Sequence, residues 1–266
     1  MKKLRSIPEN ETLLTLDGGK KVYFLSDAHL GASALTNNRE REKALVDWLE
    51  GIEPDCGALF LLGDIFDFWF EYKWVVPKGY VRFLAKICDF TDRGIPVHFF
   101  TGNHDVWAFD YLQQECGVVL HTHNEAFGIC GKHFLIGHGD ALNPADKGYL
   151  FLYRVFHQPF LQRCFRWLHP DCGIWFARKW SSHSRLANGK VEADLFRGEE
   201  KEEIVRFCKE TLSVRHFDYF VFGHRHLPQD VALAPDSRYI NTGDWITYFS
   251  YASFDGERMR LHLKEE

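Results

Sequence analysis

Five short apolar runs, each leading into a potential metal ligand, constrain this 266-residue chain more than anything else in it. The runs are Val22 to Ser26, Ala58 to Leu62, Val97 to Thr101, His133 to Ile136 and Tyr219 to Phe222. The residues after them read Asp27-Ala28-His29, Gly63-Asp64-Ile65-Phe66-Asp67, Gly102-Asn103-His104-Asp105, Gly137-His138-Gly139-Asp140 and Gly223-His224-Arg225-His226. Runs this short, continuously apolar and rich in aromatic or β-branched residues predict strands covered on both faces. Helical spacing lies between them over 39–49, 78–92 and 199–212, the second closed by Gly94 and Pro96. Two further strands are expected over 247–254 and 258–263, joined at Asp255-Gly256. The whole reads as one α/β domain over 1–266, with an insertion at about 144–198.

In open α/β sheets, sites form beyond the carboxyl ends of the strands. If the five ends are neighbours, Asp27, His29, Asp64, Asn103, His138, His224 and His226 converge. Carboxylate, amide and imidazole donors without a thiolate suit hard-to-borderline divalent ions. Seven donors exceed the needs of one ion and suit two ions about 3.5–4 Å apart sharing a carboxylate, as in phosphoryl-transfer sites. In an extended segment, the i,i+2 spacing of Asp27/His29 and His224/His226 places both side chains of each pair on one side. Arg225 then points away and takes no part. Asp67 reads as an outer partner of the site or a helix cap. Asp140 orients a histidine or occupies a simple turn. His98, His121, His123, His133, His157, His169, His216 and His262 read as structural or surface residues, and Trp245 as packing beside the His224–His226 loop.

In order, these motifs are DxH, GDxxD, GNHD, GHGD and GHxH, and the series resembles that of the calcineurin-like metallophosphoesterases from Asp27 to His226. The resemblance implies a sandwich of two β-sheets flanked by helices and a dinuclear, manganese-type centre. It assigns one ion to Asp27, His29, Asp64 and His226 and the other to Asp64, Asn103, His138 and His224, with Asp64 bridging. It makes His104 a catalytic contact to phosphate, oriented by Asp105. Leu25-Ser26-Asp27-Ala28-His29-Leu30-Gly31, Leu62-Gly63-Asp64-Ile65-Phe66-Asp67-Phe68-Trp69 and the insertion are similar to the branch that cleaves UDP-2,3-diacylglucosamine to UMP and 2,3-diacylglucosamine 1-phosphate in lipid A synthesis. That branch resembles GNRD where this chain has His104.

The insertion is basic and aromatic together. Between Lys147 and Val191 stand eight lysines and arginines against one acid, Asp171, in a chain whose net charge is −5. Composition alone favours an ordinary helical subdomain whose aromatic residues pack its own core. The resemblance makes it a cap for a nucleotide-sugar lipid, with Asp146, Tyr149, Arg154, Ser181, Ser182 and Arg185, besides Asn103 and His104, as substrate contacts. Basic and aromatic residues together also suit an anionic membrane surface. The expected location is cytoplasmic, peripheral to the inner membrane: Ser6 to Glu11 stands where a signal peptide would carry its apolar core, and no run reaches the ~18 apolar residues of a spanning helix. The acidic net charge argues against nucleic acid as a partner, and no obligatory protein partner is evident. Seven cysteines without a CxxC pair read as single thiols. Two alternatives stand beside the lipid reading: a phosphoesterase of nucleotides or other phosphodiesters, and a binding module on an inactive phosphoesterase fold.

Overall fold

The computed structural model describes residues 7–32, 35–175, 198 and 202–263. Two six-stranded sheets form its centre. In chain order the strands are β1 (Glu11–Leu14), β2 (Lys21–Leu25), β3 (Cys56–Leu61), β4 (Val97–Phe100), β5 (Val119–His121), β6 (Glu125–Ile129), β7 (Lys132–Ile136), β8 (Tyr219–Phe222), β9 (Gln229–Ala234), β10 (Ser237–Asn241), β11 (Tyr251–Phe254) and β12 (Met259–His262). One sheet runs β12-β11-β2-β3-β4-β5 and the other β1-β6-β7-β8-β10-β9. The helices among the described residues include α1 (Asn38–Ile52), α2 (Val81–Asp92), α3 (Tyr111–Cys116), α4 (Lys147–Phe156), α5 (Pro159–Arg166) and α6 (Glu203–Leu212).

The period-2 alternation of each strand divides its side chains between two cores. Val22, Phe24, Ala58, Phe60 and Phe100 meet Phe127, Phe134, Ile136, Tyr219 and Val221 between the sheets. Tyr23, Leu25, Leu59, Leu61 and Phe99 face outward onto Leu45 and Leu49 of α1, Phe83 and Ile87 of α2 and Leu112 of α3. On the far side, Leu135, Phe220, Phe222 and Tyr239 pack on Ile204, Val205, Phe207 and Cys208 of α6. The layers are therefore helix, sheet, sheet, helix, and the continuous apolar runs follow from burial on both faces. This is the two-sheet sandwich with flanking helices that was expected.

Of the boundaries that differ from expectation, two have a clear local cause. The second helix begins at Val81, not 78, because Tyr80 is left-handed at φ 59°. The amides of Arg82 and Phe83 then donate to Glu42 Oε1 on α1. The strand expected from 247 begins only at Tyr251. Asp244 Oδ1 accepts from the amides of Ile246, Thr247 and Tyr248 and winds them into a turn, and Phe249 is left-handed at φ 48°.

Within the insertion the described residues hold α4, α5 and a helical stretch over 170–175; residues 176–197 lie outside the described residues. Its aromatic residues divide. Phe165 packs 4.7 Å from Phe70 and 5.2 Å from Trp107, and Phe156 packs 5.3 Å from Trp107. Phe151, Phe160, Trp167, Leu168 and Trp175 are exposed.

Candidate metal centre

β2, β3 and β4 run parallel in one sheet, and β7, β8 and β10 run parallel in the other. Their carboxyl ends meet. The Asp27 amide donates to Gly63 O at 3.1 Å, His29 N to Asp64 O at 2.9 Å, Gly223 N to His138 O at 2.9 Å and Trp245 N to Asp27 O at 3.2 Å. This approach explains the small residue before each polar one. Gly63 has φ 89°, and a Cβ there would lie 2.7 Å from both Gly102 N and His138 Nδ1. A Cβ on Gly223 would strike the Ser26 hydroxyl and the Asp27 carboxylate.

Two groups of donors result. In the first, Asp27 Oδ1 lies 3.3 Å from His226 Nε2 and 3.8 Å from His29 Nε2, and the two Nε2 atoms are 3.3 Å apart. Asp27 Oδ2 is held by the His224 amide at 2.9 Å and by the Ser26 hydroxyl, while Oδ1 is buried without a hydrogen-bond donor among the described residues. The Nδ1 atoms of His29 and His226 face the carboxylates of Asp67 at 3.4 Å and Asp244 at 3.5 Å. Carboxylates at Nδ1 keep the proton there and leave the Nε2 lone pairs aimed at one point.

In the second group, His138 Nδ1 donates to Leu62 O at 2.8 Å. Its Nε2 lies 3.3 Å from Asn103 Oδ1, 3.3 Å from His224 Nδ1 and 3.4 Å from Asp64 Oδ2. The same Asp64 Oδ2 is 3.7 Å from His29 Nε2, so one carboxylate stands between the groups. Asp64 Oδ1 is taken by the His104 amide at 2.8 Å.

Electrostatics agree with a cation site. Burial opposes ionisation of Asp27, but facing His226 and His29 hold its carboxyl at about 2. Asp64 stays well below the usual carboxylate range despite burial because His138 and His104 face it. Burial works against His138 too, yet the Asp64 carboxylate raises it well above the ordinary imidazole value. His224 is pushed down to about 4 by burial and by His138. An orphaned carboxylate oxygen and converging nitrogen lone pairs are what divalent ions satisfy. Asp27/His29/His226 and Asp64/His138/His224 are each close enough to hold one ion.

Several sequence expectations change. The residues of the two i,i+2 pairs converge, but the segments are not extended: Asp27, His29, His224 and His226 are left-handed at φ 52°, 41°, 69° and 56°. His224 and His226 accordingly serve different groups. Asp105 does not orient His104. It is fully buried and accepts the amides of Gly102 at 2.7 Å, Ile65 at 2.9 Å, Asp64 at 3.3 Å and Phe66 at 3.4 Å, clamping two loops together. Burial and the Asp64 charge push its carboxyl up to about 7. The backbone O of Asp67 orients His104 instead, 2.9 Å from Nδ1, and burial lowers the His104 imidazole. Trp245 packs on Trp48 at 5.3 Å and Phe249 at 5.6 Å, on the helical side of its sheet. Arg225 does turn away, bonding Glu202 at 2.8 and 3.0 Å. Asp244 was not anticipated, although Thr242-Gly243-Asp244 after β10 repeats the signal of the other strand ends.

A cavity of about 390 Å³ adjoins the centre at Asp67, Asn103 and His104. Its walls include Trp107, Leu152, Val155, Phe156, Leu161 and Phe165. Tyr149 also lines it and donates to Asp140 Oδ2 at 3.2 Å. Asp146 and Arg154 do not line it. Asp146 is exposed and caps α4, accepting Tyr149 N at 2.9 Å, and Arg154 is exposed on the same helix. Ser181, Ser182 and Arg185 lie outside the described residues.

The family model described as calcineurin-like phosphoesterase matches residues 20–228. The chain is similar to a Porphyromonas gingivalis protein named UDP-2,3-diacylglucosamine hydrolase, with 39% identity over 259 residues covering 92% of this chain and 98% of that one. A protein of the same name from Actinobacillus succinogenes is 29% identical over 232 residues, covering 85% and 92%. The Haemophilus influenzae protein of that name is 27% identical over 232 residues, covering 85% and 91%.

Proposed function

The chain belongs to the calcineurin-like phosphoesterase family, and from that premise we propose that it hydrolyses the pyrophosphate of UDP-2,3-diacylglucosamine, releasing UMP and 2,3-diacylglucosamine 1-phosphate. The observation that carries this reading is the apolar cavity of about 390 Å³ lying against Asn103 and His104. A nucleotide or a small diester gives no reason for such a chamber, whereas acyl chains do. Relatives named for this substrate, matching nearly the full chain, support the same choice.

Asp27, His29, Asp64 and His226 would hold one divalent ion and Asp64, Asn103, His138 and His224 the other, and we propose Mn²⁺ for both. When bound, the ions supply positive charge to the phosphoryl oxygens and acidify the attacking water. The remaining work falls to the chain. Asp67 and Asp244 set the ring orientations of His29 and His226 through Nδ1. Asp105 fixes the two loops bearing Asp64 and Asn103. His104, its Nδ1 tied to Asp67 O, lines the cavity and would contact the phosphate. Tyr149 closes the cavity wall from α4.

The exposed Phe151, Phe160, Trp167, Leu168 and Trp175 stand with exposed Arg154 and Arg163 on the insertion. This combination supports cytoplasmic, peripheral attachment to the anionic inner membrane, where the lipid substrate resides. No helix of the described residues is long and apolar enough to cross a membrane.

The test is UMP release with Mn²⁺, comparing UDP-2,3-diacylglucosamine with UDP-N-acetylglucosamine. Strong preference for the diacyl compound is expected. Equal rates, or cleavage of a generic diester alone, would refute the lipid reading.

A further inference from the structure

Tyr153 of α4 and His157, which follows the last residue of that helix, bring polar side chains into a largely apolar wall. Tyr153 and His157, one helical turn apart, stack with ring centroids 3.8 Å apart and 19° between planes. Both line the large cavity. Both also line a smaller niche with Thr101, Thr122, His123 and Asn124, bounded by His138 and Asp140 next to the metal centre. The pair therefore stands where the apolar chamber gives way to polar space beside the reacting phosphates.

The tautomer of His157 follows from its neighbour. Nδ1 lies 2.8 Å from Tyr153 O, and a carbonyl only accepts, so Nδ1 carries the proton. Burial lowers the imidazole pKa and keeps the ring neutral. Nε2 is then a bare acceptor, with no hydrogen-bond partner among the described residues. At the edge of the cavity, a neutral imidazole nitrogen of this kind is an acceptor that a ligand N–H can meet in place of water.

The substrate proposed above offers a donor in the right place. Its 2-acyl group is attached through an amide N–H, its 3-acyl group through an ester that has none. Among the substrate's donors, that N–H is covalently nearest the acyl chains that the apolar chamber would take. We infer that His157 Nε2 accepts the 2-amide N–H and makes the enzyme selective for an amide-linked acyl chain at that position. The inference rests on the substrate reading above and adds a specificity-determining residue to it.

The test uses full-length protein with Mn²⁺ and two UDP-sugars, identical except that the 2-acyl linkage is an amide in one and an ester in the other. The wild type should favour the amide by about tenfold in kcat/KM, the effect of one hydrogen bond. In H157F the ratio should fall to near one. H157Q, whose side-chain carbonyl can accept, should restore part of it. Because the ratio is taken within each variant, a change in the amount of folded protein cancels. No discrimination by the wild type, or undiminished discrimination by H157F or loss of it in H157Q equal to that in H157F, would overturn the assignment of His157. Cleavage of neither compound would overturn the substrate reading itself, and this inference with it.

Discussion

His226 Nδ1 lies 3.5 Å from Asp244 Oδ2, on the opposite side of the ring from the Nε2 that meets Asp27. The carboxylate keeps the proton on Nδ1 and the lone pair on Nε2. Asp244→Asn retains Oδ1 for the turn amides of 246–248 but presents an N–H₂ to Nδ1. Nδ1 must then accept, and the proton moves to Nε2. Metal affinity should fall about 10–100-fold, with little change in melting temperature. Titration calorimetry with Mn²⁺ measures the first and thermal unfolding of the metal-free protein the second; unchanged affinity would refute the role given to Asp244.

Asp64 Oδ2 stands 3.7 Å from His29 Nε2 and 3.4 Å from His138 Nε2. Removing it deprives both groups of their shared oxygen. Asp64→Ala should bind at most one ion per chain and lose about a thousandfold or more in turnover, equivalent to roughly 4 kcal/mol. Metal analysis after gel filtration gives the stoichiometry. Two tightly held ions in this variant would sink the bridging arrangement.

Which parts of this were legible in the sequence has a physical pattern. β2, β3, β4, β7 and β8 are apolar on both faces, so each could be found from local composition, and the ligand after each came with it. β1 and β9 are half exposed and β5 is only three residues long, so their patterns do not stand out. Asp244 went unnoticed because Ser237-Arg238-Tyr239-Ile240-Asn241 does not read as an apolar run, although the residues after it repeat the strand-end signal. The loop-clamping contacts of Asp105 are not legible in the sequence because its partners are amides of Asp64, Ile65 and Phe66, roughly 40 residues away, which only the packing of two loops defines. The left-handed backbone at His224 and His226 was equally hidden, since neither is glycine.

Phe160 and Trp167 are 71% and 91% exposed near the basic residues of α5. Side chains this open contribute little to folding, so replacing both with Ser should leave the melting temperature nearly unchanged. If the insertion rests on a bilayer, each loss removes about 1–2 kcal/mol of apolar burial there, and binding to anionic vesicles should drop about tenfold or more. Sedimentation with vesicles rich in phosphatidylglycerol tests this. Binding equal to wild type would place the membrane contact elsewhere.

His98 on β4 and His121 on β5 form a buried pair, with Nδ1 of the first 2.9 Å from Nε2 of the second. Phe60, Phe100 and Phe127 surround them, and Glu125 Oε1 is 3.5 Å from His121 Nδ1. Burial, with His121 adding its effect, pushes His98 down to about 4, and burial alone pushes His121 to about 4. The unfolded chain takes up these protons near pH 6.5, while the folded one resists until about pH 4. Stability from the pair is therefore full above pH 6.5 and lost as pH falls toward 4, at up to about 1.4 kcal/mol per pH unit for each ring. Replacing both with Gln keeps hydrogen-bonding groups that do not titrate. The double variant should show a shallower loss of stability between pH 6.5 and 4 in urea titrations of the metal-free protein. Equal slopes for variant and wild type would mean that the pair does not govern the acid sensitivity of this sheet edge.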